Sequence, residues 1–465
     1  MKDMENYRLS SYTIFTKLED AEDRYMLVHG YTGAIDVVTE KVVSCLKAQA
    51  ESLHVENVCF SHKTFDTLVK RGYITQRTSE EEIEYVGRLA NILHRKYKML
   101  YKHFLFVMTY DCNFRCPYCY ENGISGKGRN WSGKTFTREM VDKAYLVMLQ
   151  IEPERKLHHN VITLYGGEPL LKKNKDIVEY VVYKGNELGY EFSAITNGYD
   201  LDVFQHLLAP NLIKSVQITL DGDEEQHNER RIHRSGVKTF DRIVNNIEIA
   251  LKAGISVVVR MNTDMSNFDK LKDLKYFFDN KGYTKNDKFS LYSSLLLNYE
   301  QFDNNVSHFN YGSYKEFNKK HKLENYNLGC YDRGLFSNLN NSIKNNKLID
   351  FRSIYCAAQS GEYLFDPYGD IYPCWDVLGN KQHIIGNYAQ DPVVWTDVKE
   401  QWHNRNVSTL PSCRKCKFAL LCQGGCAGSA WRYNNSIETS FCENYADILE
   451  MSINRVYKSI KNQMS

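Results

Sequence analysis

The chain has 465 residues, more than one ordinary core organises, so two or three domains are expected. Its 59 basic and 57 acidic residues nearly cancel and form no basic block, which argues against nucleic acid or an anionic membrane as the main partner. No run approaches about 18 apolar residues and the start, MKDMENYRLS, has no signal-type apolar stretch, so a cytoplasmic location is expected.

In chain order, residues 1–92 read as a small separate unit. RYMLVHGYTGAIDVV alternates around a Gly-rich turn as a strand pair would, and helical patterns such as TFDTLVKRGYI follow. The pattern resembles a winged helix-turn-helix; a packing appendage is the alternative. Residues 93–300 then alternate strand and helix. FLFVMT (104–109), VITLY (161–165), FSAIT (192–196), SVQITL (215–220), ISVVVRM (255–261) and FSLYSSLLL (289–297) are the strands. Between two of them, Thr239 is the expected N-cap of a helix whose Phe240, Ile243, Val244, Ile247 and Leu251 share a face. This is an α/β pattern with a parallel sheet, open or partly closed into a barrel, and its chemistry belongs at the C-terminal strand ends. Residues 301–352 are a bridging region rich in Asn, Tyr and Lys, and residues 353–465 form the tail.

Thirteen cysteines in a chain with no export signal point to metal ligation rather than disulfides. Three of them, Cys112, Cys116 and Cys119, follow the first strand of the sheet in CNFRCPYC. Four thiolates would close a zinc site or saturate an iron–sulfur cube; three leave one metal corner open. A structural site has no use for an open corner, and a catalytic one does. Zinc with a distant fourth ligand is the bland alternative.

The spacing Cys112-x3-Cys116-x2-Cys119, with Tyr118 before the last thiol, resembles the signature of the radical S-adenosylmethionine superfamily. YGGEP (165–169) is similar to that family's segment for the methionine amino group, ITNG (195–198) to its ribose and methionine contact, and QITLDGDEEQHNERR (217–231) to its fourth-strand motif. The resemblance implies a partial (β/α)6 TIM-like barrel. It implies that S-adenosylmethionine chelates the open iron of a 4Fe–4S cluster and is cleaved to a 5′-deoxyadenosyl radical. Tyr118, Gly166, Gly167, Glu168, Pro169, Thr196, Asn197, Thr219 and Arg231 are the implied cofactor contacts. The glycines would admit the ligand to the backbone, Glu168 would accept from the amine, and Arg231 would pair with the carboxylate. Arg230, Arg234 and Arg260 compete for the last role.

The tail's Cys356, Cys374, Cys413, Cys416, Cys422, Cys426 and Cys442, with Gly369, resemble the SPASM domain of radical enzymes that modify peptides and proteins. That implies two auxiliary 4Fe–4S clusters, one on Cys413, Cys416, Cys422 and Cys442, the other on Cys356, Cys374 and Cys426. Zinc on Cys413, Cys416, Cys422 and one further thiol is the alternative. Cys330 is a candidate fourth ligand or substrate-side thiol; Cys45 and Cys59 read as core residues. No general base stands out, although Asp376 and Glu362 lie near Cys374.

The implied activity is that of a radical peptide maturase: an oxidoreductase that modifies a ribosomally made precursor. Its leader would be held on the N-terminal unit by strand addition, and a flavodoxin or ferredoxin would supply electrons. Thioether formation is the expected outcome, with carbon–carbon or carbon–oxygen cross-linking next. The alternatives are a sulfatase-maturating, formylglycine-forming enzyme and a non-catalytic iron–sulfur protein that binds peptide or carries electrons.

Overall fold

A computed structural model describes residues 6–121, 124, 128–296, 334–442 and 445–464. Cys330 and most of the bridging region lie outside the described residues. The chain forms two compact units, one from the described residues of 99–330 and 360–403, the other from 6–98, 334–359 and 404–464.

The first unit is built on one ten-stranded sheet. Six strands are parallel and adjacent in sequence order: β6 (His103–Thr109), β7 (Val161–Gly166), β8 (Glu191–Thr196), β9 (Ile213–Thr219), β10 (Ser256–Thr263) and β11 (Phe289–Leu295). All six expected strands are present. Six of the seven β6 residues are buried, as a strand packed on both faces requires. Beyond β6 the sheet continues with β12 (Glu362–Phe365), parallel to it, and then an antiparallel meander of β13 (Asp370–Tyr372), β14 (Gly386–Asn387) and β15 (Val394–Trp395). Residues 360–403, grouped with the tail in the sequence, therefore pack with this sheet. The helix after Thr239, Phe240–Lys252, buries Phe240, Ile243, Val244 and Ile247 as expected. Thr239 makes no side-chain cap; its hydroxyl instead meets His227 Nε2 at 3.0 Å.

In the second unit, β2 (Thr13–Lys17), β3 (Arg24–His29) and β4 (Ile35–Thr39) form an antiparallel sheet with β3 central. Helices α1 (Glu40–Ala48), α2 (His62–Lys70) and α3 (Ser79–Met99) follow, and α3 runs on past residue 92. Leu27, Val42, Val43, Leu46, Phe65, Leu68 and Tyr73 make their shared core. Buried Glu82 is satisfied by Arg8, Ser10, the Ser11 amide and Tyr31, which ties α3 to the sheet. Cys45 is buried, but Cys59 is exposed, with its amide 3.1 Å from Cys45 Sγ. Among the described residues no helix is long and apolar enough to cross a membrane.

Candidate active site

The three-cysteine loop begins where β6 ends, and the ends of β7 and β8 hold it down. Gly167 N donates to Thr109 O (3.0 Å) and Glu168 N to Asp111 O (2.9 Å). A Cβ at Gly166 would sit 2.2 Å from Thr109 O, and one at Gly167 2.5 Å from Asp111 O. These glycines were expected to admit a ligand; the space beside them is filled by the cysteine loop's own backbone. Gly166 also adopts φ +128°, open only to glycine at low cost.

Glu168 is buried and accepts from Thr196 Oγ1 (2.6 Å), Asn197 N (2.6 Å) and Leu170 N (2.9 Å). Three of its acceptor positions thus lock the end of β8 to the end of β7, leaving room for about one more donor. Burial pushes its carboxyl up to about 7 despite these bonds. Asn197 reaches the loop itself, donating to Asn113 Oδ1 at 2.7 Å. Pro169, next in the YGGEP segment, is buried.

On the other side the segment after β9 closes over the loop. Arg115 N donates to Ile232 O and Arg234 N to Asn113 O. Asp111 carries ion pairs to Lys173 (2.7 Å) and Arg234 (3.5 Å). Tyr118 is buried, its hydroxyl in contact with Asp221 and receiving bonds from Arg231 Nη1 and Asn262 Nδ2, each at 3.3 Å. Asp221 also accepts from Asn262 N at 2.9 Å. Asp111, Asp221 and Asn262 were not singled out from the sequence; the position of Asp221 immediately beyond a strand end was the available signal.

The four arginines separate clearly. Arg230 is committed to Asp264 at 2.8 Å and Arg234 to Asp111. Arg260 Nη2 bonds Ser294 Oγ at 3.0 Å. Arg231 lies under the electrostatic influence of Cys116, and its Nε, like Arg260 Nε and Asn262 Oδ1, is buried with no hydrogen-bond partner. Orphaned buried polar atoms cost about 1–3 kcal/mol each, so such a group beside three thiols suits a polar ligand that would satisfy them. Thr219, at the end of β9, is nearly buried opposite Arg260 in the ladder.

The thiols themselves are set for metal. Burial raises Cys112 and Cys116, and Cys119 to about 12, so each holds its proton until a metal displaces it. Next to them Tyr120 contacts Tyr165 through their hydroxyls and donates to Glu121 Oε1 at 3.1 Å. Burial and the nearby Glu168 charge lift Glu121 to about 7. Tyr165 packs on Trp375 with ring centroids 5.8 Å apart. Asp376 raises the pKa of both tyrosines electrostatically, whereas Glu362 pairs in register with His103 at the start of β6. Of the two carboxylates near Cys374, only Asp376 acts on this tyrosine pair.

Cys374 belongs to this unit and the other six tail cysteines to the second one. There Gly424 and Gly425, both left-handed, press the Cys422–Cys426 turn onto the segment before Cys442: a Cβ at Gly425 would lie 1.9 Å from Phe441 O. Burial raises the Cys413 thiol to about 11, helped by Cys416 and Cys442, and burial with Cys442 raises Cys416. Among the described residues no three His, Cys, Asp or Glu side chains converge as they would on a single ion.

The family description Radical SAM superfamily matches residues 106–274. The chain spans 49% and 37% of the length of the first two curated relatives it matches. A cysteine-type anaerobic sulfatase-maturating enzyme of Clostridium perfringens is 24% identical, covering 76% of this chain and 96% of that protein. The radical SAM cyclopropyl synthase TigE of Paramaledivibacter caminithermalis is 22% identical and matches nearly end to end, 98% of this chain and 96% of its own. Among solved structures, anSMEcpe with bound AdoMet and the Cp18Cys peptide overlays with a TM-score of 0.56 at 19% identity, over 78% of this chain and 99% of that one. The α/β fold with its large, mostly parallel sheet, the thiol loop at the end of β6 and the matched 106–274 segment agree: this part of the chain is a radical SAM domain.

Proposed function

We propose that this enzyme oxidatively modifies a ribosomally made precursor peptide. The observation that carries the reading is the set of unpartnered buried polar atoms, Arg230 Nε, Arg231 Nε, Arg260 Nε and Asn262 Oδ1, beside a loop of three thiols. Cys112, Cys116 and Cys119 would hold a 4Fe–4S cluster with one iron open to S-adenosylmethionine. Glu168 takes the methionine amine on its remaining acceptor position, Arg231 the carboxylate, and Thr196, Asn197 and Thr219 frame the rest. When bound, that pair supplies a 5′-deoxyadenosyl radical able to abstract hydrogen from an unactivated carbon. The chain's own residues would position the peptide, shield the site from water and take up a proton, for which Asp376 is the candidate acceptor.

The tail cysteines would hold two further clusters, which would supply electron acceptors for the oxidation of the substrate. The sulfur–carbon bond of a thioether is the favoured product. Carbon–carbon or carbon–oxygen cross-linking is the next reading, and the near end-to-end similarity to the cyclopropyl synthase TigE supports keeping it. The N-terminal unit supports a peptide substrate: β4 is an edge strand, and its Val37 is 45% exposed. A leader could add there as a fourth strand, with main-chain bonds for affinity and alternate side chains for selectivity. A flavodoxin or ferredoxin would deliver the initiating electron. The second reading is sulfatase maturation, favoured by the 96% coverage of the Clostridium perfringens enzyme.

Anaerobic reconstitution tests the reading. About twelve irons in wild type, falling to about eight in the Cys112→Ala/Cys116→Ala/Cys119→Ala protein, are expected for three 4Fe–4S clusters. With reductant and the peptide encoded beside its gene, the enzyme should form 5′-deoxyadenosine and a precursor lighter by two hydrogens. A peptide aldehyde instead would establish the sulfatase-type reaction. Zinc with little iron would overturn both.

A further inference from the structure

Arg405 lies in the second unit, and its side chain is 3% exposed. Its guanidinium donates Nε to Ile437 O (2.6 Å), Nη1 to Gly425 O (3.1 Å), and Nη2 to Gly424 O (3.2 Å) and Thr439 O (2.8 Å). Four of its five N–H groups are therefore spent on neutral carbonyls. Those carbonyls belong to the two segments that carry Cys422 and Cys426 on one side and lead to Cys442 on the other.

No carboxylate pairs with this cation among the described residues. Burying a charge without a counter-charge is strongly unfavourable, and backbone dipoles offset only part of that cost. The groups whose charge acts on Arg405 once a metal takes their protons are thiols: Cys426 first, then Cys413, Cys356 and Cys422. Burial works against the charge, and the thiolates work for it. Two of these four cysteines fall in each of the auxiliary sets assigned above.

We infer that Arg405 is the buried counter-cation of the auxiliary iron–sulfur cluster assigned to Cys413, Cys416, Cys422 and Cys442, and that it raises that cluster's reduction potential. The inference rests on the proposed assignment of clusters to the tail cysteines. A thiolate-ligated cluster is a net anion and gains a further negative charge on reduction, so a fixed cation beside it favours the reduced state. Arg405 is thus a positioning and potential-setting residue. It touches neither substrate nor S-adenosylmethionine, and its hydrogen bonds hold the two cysteine segments together while its charge answers theirs.

The test uses the full chain with Cys112→Ala/Cys116→Ala/Cys119→Ala, so that only auxiliary iron is present. Potentials are read by EPR-monitored redox titration with Arg405, Arg405→Lys and Arg405→Gln. The Gln protein should titrate more negatively by at least 59 mV, a tenfold change in a one-electron equilibrium, with the Lys protein closer to wild type. Unchanged potentials at full iron content would overturn the inference. Should the Gln protein load iron poorly, thermal melts of the metal-free and loaded forms decide. A counter-cation predicts that Arg405→Gln raises the melting temperature of the metal-free chain and lowers that of the loaded chain. Equal loss in both would reduce Arg405 to a neutral staple and overturn the inference. Four irons in wild type and none in the triple variant would remove the auxiliary clusters themselves, and the inference with them.

Discussion

Around the three-cysteine loop several buried charges come with ion-pair partners, Asp111 with Lys173 and Arg234, and Arg230 with Asp264 and Asp221, while Arg231 keeps an unpartnered Nε. In the tail, Arg405 is surrounded by thiols and carbonyls alone. The loop is therefore shaped by protein–protein bonds that exist whether or not a cofactor is present. The tail leaves its charge balance to be completed by whatever the thiols bind. Preorganisation suits a site that must admit and release a small molecule at every turnover. Dependence on the metal suits clusters that are inserted once and stay.

The strongest way to break this contrast is to remove thiols from each region in turn. Cys112→Ala/Cys116→Ala/Cys119→Ala should abolish 5′-deoxyadenosine formation, followed by liquid chromatography, while leaving the thermal midpoint of the chain within a degree or two. Cys413→Ala/Cys416→Ala should lower that midpoint by several degrees, because folding of the tail is coupled to its metal. Equal destabilisation by both would show that the two regions do not differ.

A smaller effect probes the scaffold of the loop. Glu168→Gln keeps the shape but loses the charge in bonds to Thr196, Asn197 and Leu170. We expect a loss of about 2 kcal/mol in S-adenosylmethionine binding, roughly thirtyfold by calorimetry, with little change in iron content. Smaller again is Val37→Asp on the edge of β4, which should weaken leader-peptide binding about tenfold by fluorescence anisotropy. Peptide-independent 5′-deoxyadenosine formation should be untouched.

The smallest effect sharpens the comparison from a third place. Glu362, whose backbone pairs with His103, has no polar partner among the described residues, and burial lifts its carboxyl from 4.5 to about 8. The folded chain prefers the neutral acid there. Its contribution is complete below about pH 4.5 and is lost as pH rises towards 8. Because the side chain is only half-buried, about 1–2 kcal/mol is at stake. Glu362→Gln should therefore gain on wild type in urea unfolding as pH rises over that range, and match it at low pH.

The six parallel strands and the motifs at their ends were legible because each is a local pattern: a short apolar run, then a loop of defined chemistry. The partners of those motifs were not. Asp221 and Asn262 meet at Tyr118 because β9 and β10 are neighbours in the sheet, and Asp111 finds Lys173 and Arg234 across three loops. Pairing over such separations is decided by topology, which no single stretch encodes. Thr239 illustrates the limit. Its place before a helix was right, yet its hydroxyl serves buried His227, while Asn228 Oδ1 accepts from the Thr239 and Phe240 amides at the helix end. Arg405 escaped notice for a similar reason, one basic residue among many until the fold buried it.

The register between β12 and β6 has a consequence of its own. Glu362 stands beside His103 and Phe365 beside Phe106, rung by rung, and the hairpin then returns through β13 to Cys374. Tyr110, two residues ahead of Cys112, clasps Asp366 at the turn, 2.8 Å away. The chain thus carries a ruler between Cys112 and Cys374, graduated in hydrogen bonds and pinned at its far mark. One residue added to either strand would slide the scale by about 3.3 Å and turn every following side chain over. A residue gained or lost in this hairpin would move Cys374 relative to Cys112, which a change in the length of an exposed loop elsewhere would not do.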